Sequence, residues 1–311
     1  DTYDKGFLHC DLLIIGAGPS GLIAALTAAR NGAKVILADE DFRFGGRLNS
    51  ESFALDDMTG SDWTAQIVAE LSTFPNLRLL TRTTIYGAYD HGVFGALERV
   101  TDHLKSSGGK PRQILWRIYS KHSLLCAGAT ERPIAFANND RPGVMLAGAV
   151  RSYVNRYGVA PGKSVTVFTN NDDGWRTASD LLAKGVQVRA LIDVREGVRP
   201  LDLTVTEVIT GGYVVDSSGR KELSSVTLNN GKKIRTDCLA VAGGWNPTVH
   251  LTCHQRGKPV WNEEILAFVP GGTLPEGMRV SGAANGVFGL SSAIKSAAET
   301  TTEILKDLGI A

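Results

Sequence analysis

The strongest constraint in this chain lies near its start. Four apolar residues, Leu12-Leu13-Ile14-Ile15, run directly into Gly16-Ala17-Gly18-Pro19-Ser20-Gly21. Residues 19–30 then have helical character, with Gly32 as the stop, and a second apolar run over 34–38 ends at Asp39. An unbroken apolar run reads as a strand buried on both faces. Strand, glycine turn, helix and strand in that order build an open α/β sheet.

In this setting G-x-G-x-x-G has a mechanical meaning. Gly16 permits the tight turn, Gly18 lets backbone N–H groups approach a pyrophosphate, and Gly21 lets the helix pack on the strand. The positive end of the helix, opened by Pro19, Ser20 and Gly21 after Ala17, then meets the negative charge. Asp39 would accept from a ribose 2′-OH and repel a 2′-phosphate, which favours NAD or FAD over NADP. Gly45-Gly46-Arg47 either lines the pyrophosphate from the other side or forms a surface turn with a solvated arginine.

Further along, the pattern predicts a helix over 63–71 and strands over 77–80, 84–89, 113–120 and 124–127. The 84–89 and 113–120 strands read as antiparallel. An apolar-periodic stretch over 144–157 reads as helix. The opening pattern then recurs about 150 residues on, as strand 164–169, helix 174–184 and strand 186–192 closed by Asp193, which suggests an internal duplication. Short strands over 203–208, 213–216 and 225–228 complete this second unit. A buried strand over 238–242 and a helix over 290–308 capped by Gly309 finish the chain. The expected fold class is α/β with two dinucleotide-binding, Rossmann-like domains, the second inserted into the first. The first covers 1–158 and 240–311, and the second 159–239. At the second turn Thr169-Asn170-Asn171-Asp172-Asp173-Gly174 replaces the glycine motif. Two carboxylates there would repel a pyrophosphate, so the second domain reads as degenerate.

Composition narrows the classes. Glycine is in excess, with 35 in 311 residues, about 11% against an average of about 7%. With 33 Lys+Arg against 32 Asp+Glu the net charge is +1, which gives no electrostatic footprint for nucleic acid. No run of eighteen apolar residues exists, so no membrane span is expected. The first residues lack the regions of a signal peptide, and the start at Asp1 rather than Met suggests an internal piece of a longer chain. Four cysteines, Cys10, Cys126, Cys238 and Cys253, are scattered without a C-x-x-C pair. A metal site, disulfide scaffold or thiol relay is therefore not expected, and free thiols suit a reducing cytoplasm. The histidines lack metal-ligand spacing, and catalytic residues cannot be assigned.

Several segments resemble the alpha subunit of heterotetrameric sarcosine oxidase. They are Thr83-Thr84-Ile85-Tyr86-Gly87-Ala88-Tyr89-Asp90, Ala129-Thr130-Glu131-Arg132-Pro133, and Asn138-Asn139-Asp140-Arg141-Pro142-Gly143-Val144-Met145-Leu146. Gly243-Gly244-Trp245-Asn246-Pro247 and Gly282-Ala283-Ala284-Asn285-Gly286 are also similar. Alpha subunits of dye-linked amino-acid and opine dehydrogenases share much of this.

The resemblance implies a subunit that holds NAD without using it as the turnover oxidant; the alternatives are an FAD-binding subunit of an amino-acid or opine dehydrogenase, or a non-catalytic scaffold for the flavin-bearing partner. It implies a beta subunit carrying FAD where sarcosine is oxidised, an FMN at the alpha–beta interface passing electrons to oxygen, and further small subunits. The ferredoxin-like and folate-binding domains of the full alpha subunit would flank this region. A cofactor role passes by the resemblance to Gly16, Ala17, Gly18, Asp39, Glu40, Gly46 and Arg47, with Ile85 where backbone meets adenine. Gly282-Ala283 replaces the Gly-Asp that FAD-binding relatives use on the ribityl chain, which favours NAD, with FAD as the alternative. Phe288 and Leu290 lie at the start of the last helix, whose N-terminus can face the pyrophosphate.

Overall fold

Two long strands organise the first half of the chain. In the computed structural model, which describes residues 2–52, 54–55 and 57–310, Tyr3–Ile15 and Gln113–Leu125 each run for 13 residues. They pair in parallel from Tyr3↔Gln113 to Ile15↔Leu125. The second of them serves two neighbours on its other edge. Its first half pairs antiparallel with Val93–Arg99, and its last residues pair in parallel with Met278–Val280. The expected strands over 113–120 and 124–127 are thus one continuous element that ends at Leu125. It is antiparallel to one neighbour and parallel to two others, a distinction that residue periodicity does not carry.

The chain divides into two compact units. The first comprises Asp1–Leu48, Ala54–Ala129 and Asn246–Ala311. The parallel part of its sheet runs Leu77–Leu80, Val35–Ala38, Tyr3–Ile15, Gln113–Leu125, Met278–Val280, and the antiparallel extension adds Val93–Arg99 and Thr83–Tyr89. Leu12, Leu13 and Ile14 are fully buried at its centre, each contributing about 1.5–3 kcal/mol by leaving water. The helix Pro19–Arg30 covers Leu12 and Ile14 with Leu22, Ala25 and Leu26, joined by Ile304 and Leu305 of the helix Leu290–Asp307, while Leu13 packs on the opposite face with Ile36, Phe94 and Leu125.

The second unit comprises Asn49–Phe53 and Thr130–Trp245. Its five-stranded sheet is parallel throughout, in the order Val208–Thr210, Gln187–Asp193, Ser164–Thr169, Cys238–Ala242, Val144–Leu146. A separate antiparallel sheet holds Val214–Ser218, Ser225–Leu228 and Lys233–Arg235. Both units therefore repeat one strand order with one change. The edge strand beyond the fourth comes from later in the chain in the first unit, Met278–Val280, and from earlier in the second, Val144–Leu146.

That change corrects the expected helix over 144–157 and moves the expected boundaries. Val144–Leu146 extends beside Cys238–Ala242, and the helix begins only at Ala147, passing into a π-turn over Ser152–Arg156. A short apolar run takes strand or helix form according to the slot beside it. Residues 130–158 and 240–245 consequently group with the second unit, outside the expected 159–239. The strand expected over 203–208 forms instead at Val208–Thr210. No helix among the described residues is long and apolar enough to cross a membrane.

A buried charge cluster ties the second unit together. Arg151 bonds Asp180 at 2.7 Å and lies 3.4 Å from Glu51, and all three side chains are 5% exposed or less. Asn155 Nδ2 donates to Asp180 at 2.8 Å and to the Ser50 carbonyl at 3.0 Å, and Ser52 also donates to Asp180. Removing the arginine strands two buried carboxylates, a loss on the order of 3–5 kcal/mol. Arg151→Met is expected to lower the unfolding free energy by that amount, read as a fall in the denaturant midpoint at unchanged slope. A loss below about 1 kcal/mol would show that the cluster does not hold this unit together.

Candidate functional site

The glycine turn is built by contacts that leave no room for a side chain. Gly16 has φ of +98° and donates its N–H to the Ala38 carbonyl at 2.8 Å. A Cβ added there would lie 2.4 Å from the Cys126 carbonyl oxygen. One added to Gly21 would lie 1.9 Å from the Gly16 carbonyl oxygen. These two glycines press the helix start onto the strand end. Gly18 differs, since a Cβ on it would meet nothing within 4 Å. It stands before Pro19 at the helix start, and the space in front of it is open.

The opposite wall comes from the loop after Asp39. Gly45 N–H donates to the Ala17 carbonyl at 2.8 Å, and a Cβ on Gly46 would lie 3.0 Å from the Gly18 Cα. Gly46 is therefore brought against the turn, and Arg47 follows it, half-buried, in the short helical turn Gly46–Asn49. Asp39 is clamped at the mouth. Its Oδ2 accepts from the Ala17 N–H at 2.6 Å and its Oδ1 from the Asp41 N–H at 2.8 Å. Burial raises its pKa, the two N–H bonds pull against that, and the neighbouring carboxylates of Asp41 and Glu40 reinforce the rise. The Glu40 side chain is exposed, and its carbonyl accepts from Arg99 at 2.6 Å.

Two helices begin at this place without a cap. Pro19–Arg30 and Leu290–Asp307 follow Gly18 and Gly289, and neither has a side-chain cap or an acidic residue in its first turn. By contrast, Gly60–Leu71 is capped by Thr59 with Asp62 in its first turn, and Asp172–Ala183 is capped by Asn171. A helix start leaves backbone N–H groups unpaired and carries partial positive charge, so an uncapped pair suits an anion. Gly282 joins them. It has φ of +69°, and a Cβ on it would lie 2.3 Å from the Ser20 Oγ. That hydroxyl is buried and donates to the Ala293 carbonyl at 3.3 Å. The Ser20 side chain thus joins helix to helix, leaving only its backbone for a ligand. Ala283 is half-buried in the turn Gly282–Asn285, Phe288 is 37% exposed, and Leu290 packs against the core. Ile85 sends its side chain into the core with Ala38 and Ala284, so its backbone alone is free to meet a ligand.

The equivalent turn of the second unit is filled from within. Asn171 Oδ1 accepts from the Asp173 N–H at 2.9 Å, its Nδ2 donates to the Ala242 carbonyl at 3.0 Å, and a Cβ on Gly174 would lie 2.3 Å from the Thr169 Cβ. Asp173 bonds Arg176 and Trp245, and Asp172 pairs with Arg195 at 2.9 Å. Asp193, the counterpart of Asp39, is taken by Arg195 and by Trp175 Nε1 at 2.8 Å. Burial pushes its pKa up, but those bonds outweigh it and the pKa falls.

Three thiols are inert. Burial pushes Cys10 up to about 11 and Cys126 and Cys238 up to about 12, so little thiolate exists near neutrality. Among the described residues no His, Cys, Asp and Glu group is placed to hold a metal. Sequence reasoning did not find the strand Met278–Val280, which sets Gly282 against Ser20. Its signal was weak, being three residues long and lacking any alternation to separate it from loop.

A family model described as FAD dependent oxidoreductase matches residues 11–95. The chain is 44% identical over 314 residues to the sarcosine oxidase subunit alpha of Rhizobium meliloti strain 1021, covering 100% of this chain and 32% of that protein. It is 41% identical over 314 residues to the sarcosine oxidase subunit alpha of Corynebacterium sp. strain P-1, covering 95% and 32%. The fold matches the crystal structure of L-proline dehydrogenase from P. horikoshii with a TM-score of 0.79 and 20% identity, over 99% of this chain and 57% of that one. The chain thus spans about a third of the length of these alpha subunits. From end to end it belongs with the sarcosine oxidase alpha subunits, as their dinucleotide-binding region.

Proposed function

We propose that this chain is the NAD-binding core of a sarcosine oxidase alpha subunit. The observation that carries the reading is the first-unit turn, where two uncapped helix starts and the open face of Gly18 converge. The backbone there would take the pyrophosphate, Gly46 would close over it, Asp39 would accept from the adenosine ribose, and Ile85 would offer backbone to adenine. The three neighbouring carboxylates Asp39, Glu40 and Asp41 disfavour a 2′-phosphate. Ala283 supports NAD, since it offers no carboxylate to a ribityl chain. The filled second turn supports a single dinucleotide per chain.

The work of these residues is binding and orientation. Among the described residues none beside the turn is placed as an acid, base or nucleophile, and three of the four thiols are buried. Amine oxidation requires a flavin held against the substrate carbon, a geometry that nucleotide binding alone does not supply. In our reading that flavin is the FAD of a beta subunit, with FMN at the interface and further small subunits completing a cytoplasmic complex. The complex would demethylate sarcosine to glycine and reduce oxygen to hydrogen peroxide. The match to an FAD oxidoreductase family over residues 11–95 favours a second reading, in which FAD occupies the first turn and the chain serves an amino-acid or opine dehydrogenase.

Mass spectrometry of the cofactor released on denaturation separates the two readings. One equivalent of NAD per chain is expected, with NADP binding at least about tenfold more weakly. Released FAD would establish the second reading, and a second equivalent of dinucleotide would overturn the degenerate second turn. The glycines give an independent check. Gly18→Ala is expected to change stability by no more than about 0.5 kcal/mol while impairing dinucleotide binding, whereas Gly21→Ala destabilises the fold outright. Equal binding by a folded Gly18→Ala protein would remove the phosphate from this turn. The purified chain with sarcosine, FAD, FMN and oxygen should form no peroxide until a beta subunit is added. Turnover by the chain alone would show a complete enzyme.

A further inference from the structure

The first unit carries a second concave site, at the other end of the same parallel strands. Asp11 and Lys34 precede the buried segments whose far ends are Gly16 and Asp39, so this site lies roughly 16 Å from the glycine turn at about 3.3 Å per residue. The groove encloses about 530 Å³, and its lining includes His9, Lys34, His91, Tyr119, Lys121 and Glu276. That volume falls within the range of small-molecule sites, roughly 300–1,000 Å³.

Its two lysines and two carboxylates balance in number, but they are not paired off evenly. Asp11 Oδ1 lies 2.8 Å from the Lys121 ammonium and its Oδ2 accepts from the Lys34 backbone N–H at 2.9 Å. The bond from Lys121 holds the Asp11 carboxyl below its ordinary range. Asp11 and Lys121 therefore neutralise one another. What remains is the Lys34 ammonium and the Glu276 carboxylate, with the rings of His9 and His91 beside them. Neither the Lys34 ammonium nor the His91 ring has a hydrogen bond or ion pair among the described residues.

A left-handed turn places His91 here. Its φ is +60° at the tip of the hairpin between Thr83–Tyr89 and Val93–Arg99, a left-handed conformation uncommon for a residue with a Cβ. Gly92 beside it has φ of +68°, and a Cβ on it would lie 2.2 Å from the Ser120 carbonyl oxygen. The hairpin tip is thus pressed onto the long strand at the edge of the groove. The His9 and Tyr119 rings stack at 5.0 Å with an interplanar angle of 14°, making a flat wall.

We propose that this groove binds a small oxyanion, a carboxylate or phosphate held by Lys34 and His91, with its carbon skeleton against the Tyr119–His9 wall. Lys34 acts through its side chain here and through its backbone on Asp11, so changing the side chain leaves the Asp11 bond in place. The site is independent of the dinucleotide turn, and its test reads the two separately.

Isothermal titration of the full chain, with its dinucleotide bound, uses inorganic phosphate and citrate as probes for the two sources of the anion. Saturable binding of at least one is expected, accompanied by shifts of the His9 and His91 ring proton resonances. A Lys34→Gln, His91→Asn double variant should weaken binding about tenfold or more, because the ammonium and the imidazole ring are gone while asparagine tolerates the left-handed turn. Its melting temperature and dinucleotide content should match the parent. No saturable heat with either probe, or equal affinity in the double variant, would overturn the proposal.

Discussion

The first unit depends on a contact that only a missing side chain allows. The Gly21 Cα lies so close to the Gly16 carbonyl that a methyl group would sit 1.9 Å from its oxygen. This crowding sets the start of the helix Pro19–Arg30 directly on the end of the strand Tyr3–Ile15. From that placement follow the open face of Gly18, the approach of Gly46 and the seat of Asp39 at the mouth. It also aligns the helix so that Ser20 can bond the last helix through Ala293. Two helix starts are thereby held together with their N–H groups unsatisfied by side chains, a cost borne in the absence of an anion.

The two units show what happens to such a turn when its constraint is relaxed. Their strand orders agree, yet the second turn replaces Gly18 and its neighbours with polar residues that bond one another. Asn171 supplies the cap that the first turn lacks, and Asp172 and Asp173 occupy the positive end of the helix. The aspartates closing the second strand diverge in the same sense. Asp39 is bonded by two backbone N–H groups and faces other carboxylates, while Asp193 is consumed by an arginine and an indole. A turn whose polar groups are satisfied internally gains rigidity and loses the reason to bind a ligand.

Both proposed sites are places where polar groups are left unpaired. The glycine turn leaves helix N–H groups, and the groove at the opposite end of the same strands leaves an ammonium and two imidazoles. Both places lie at strand ends, where the sheet's own hydrogen bonding stops and loops can shape a concavity.

Much of this was legible in residue order alone. The apolar runs 12–15 and 34–38, the glycine spacing and Asp39 are local patterns, and strand–turn–helix geometry follows from them without distant contacts. The lack of the glycine motif at the second turn was legible for the same reason, since Asp172 and Asp173 stand at a helix start. What only the tertiary structure decided were features set by partners far along the chain. Gln113–Leu125 is one strand because Tyr3–Ile15 pairs along all of it, and Val144–Leu146 is extended because Cys238–Ala242 offers it an edge. The role of the Ser20 hydroxyl depended on a helix 273 residues away, and the engagement of Gly46 depended on a loop folding back onto Gly18. The groove joins His9, Lys34, His91 and Glu276 from four separated segments. Periodicity reports the environment of one residue's neighbours in sequence, whereas these features were fixed by which distant surface each residue met.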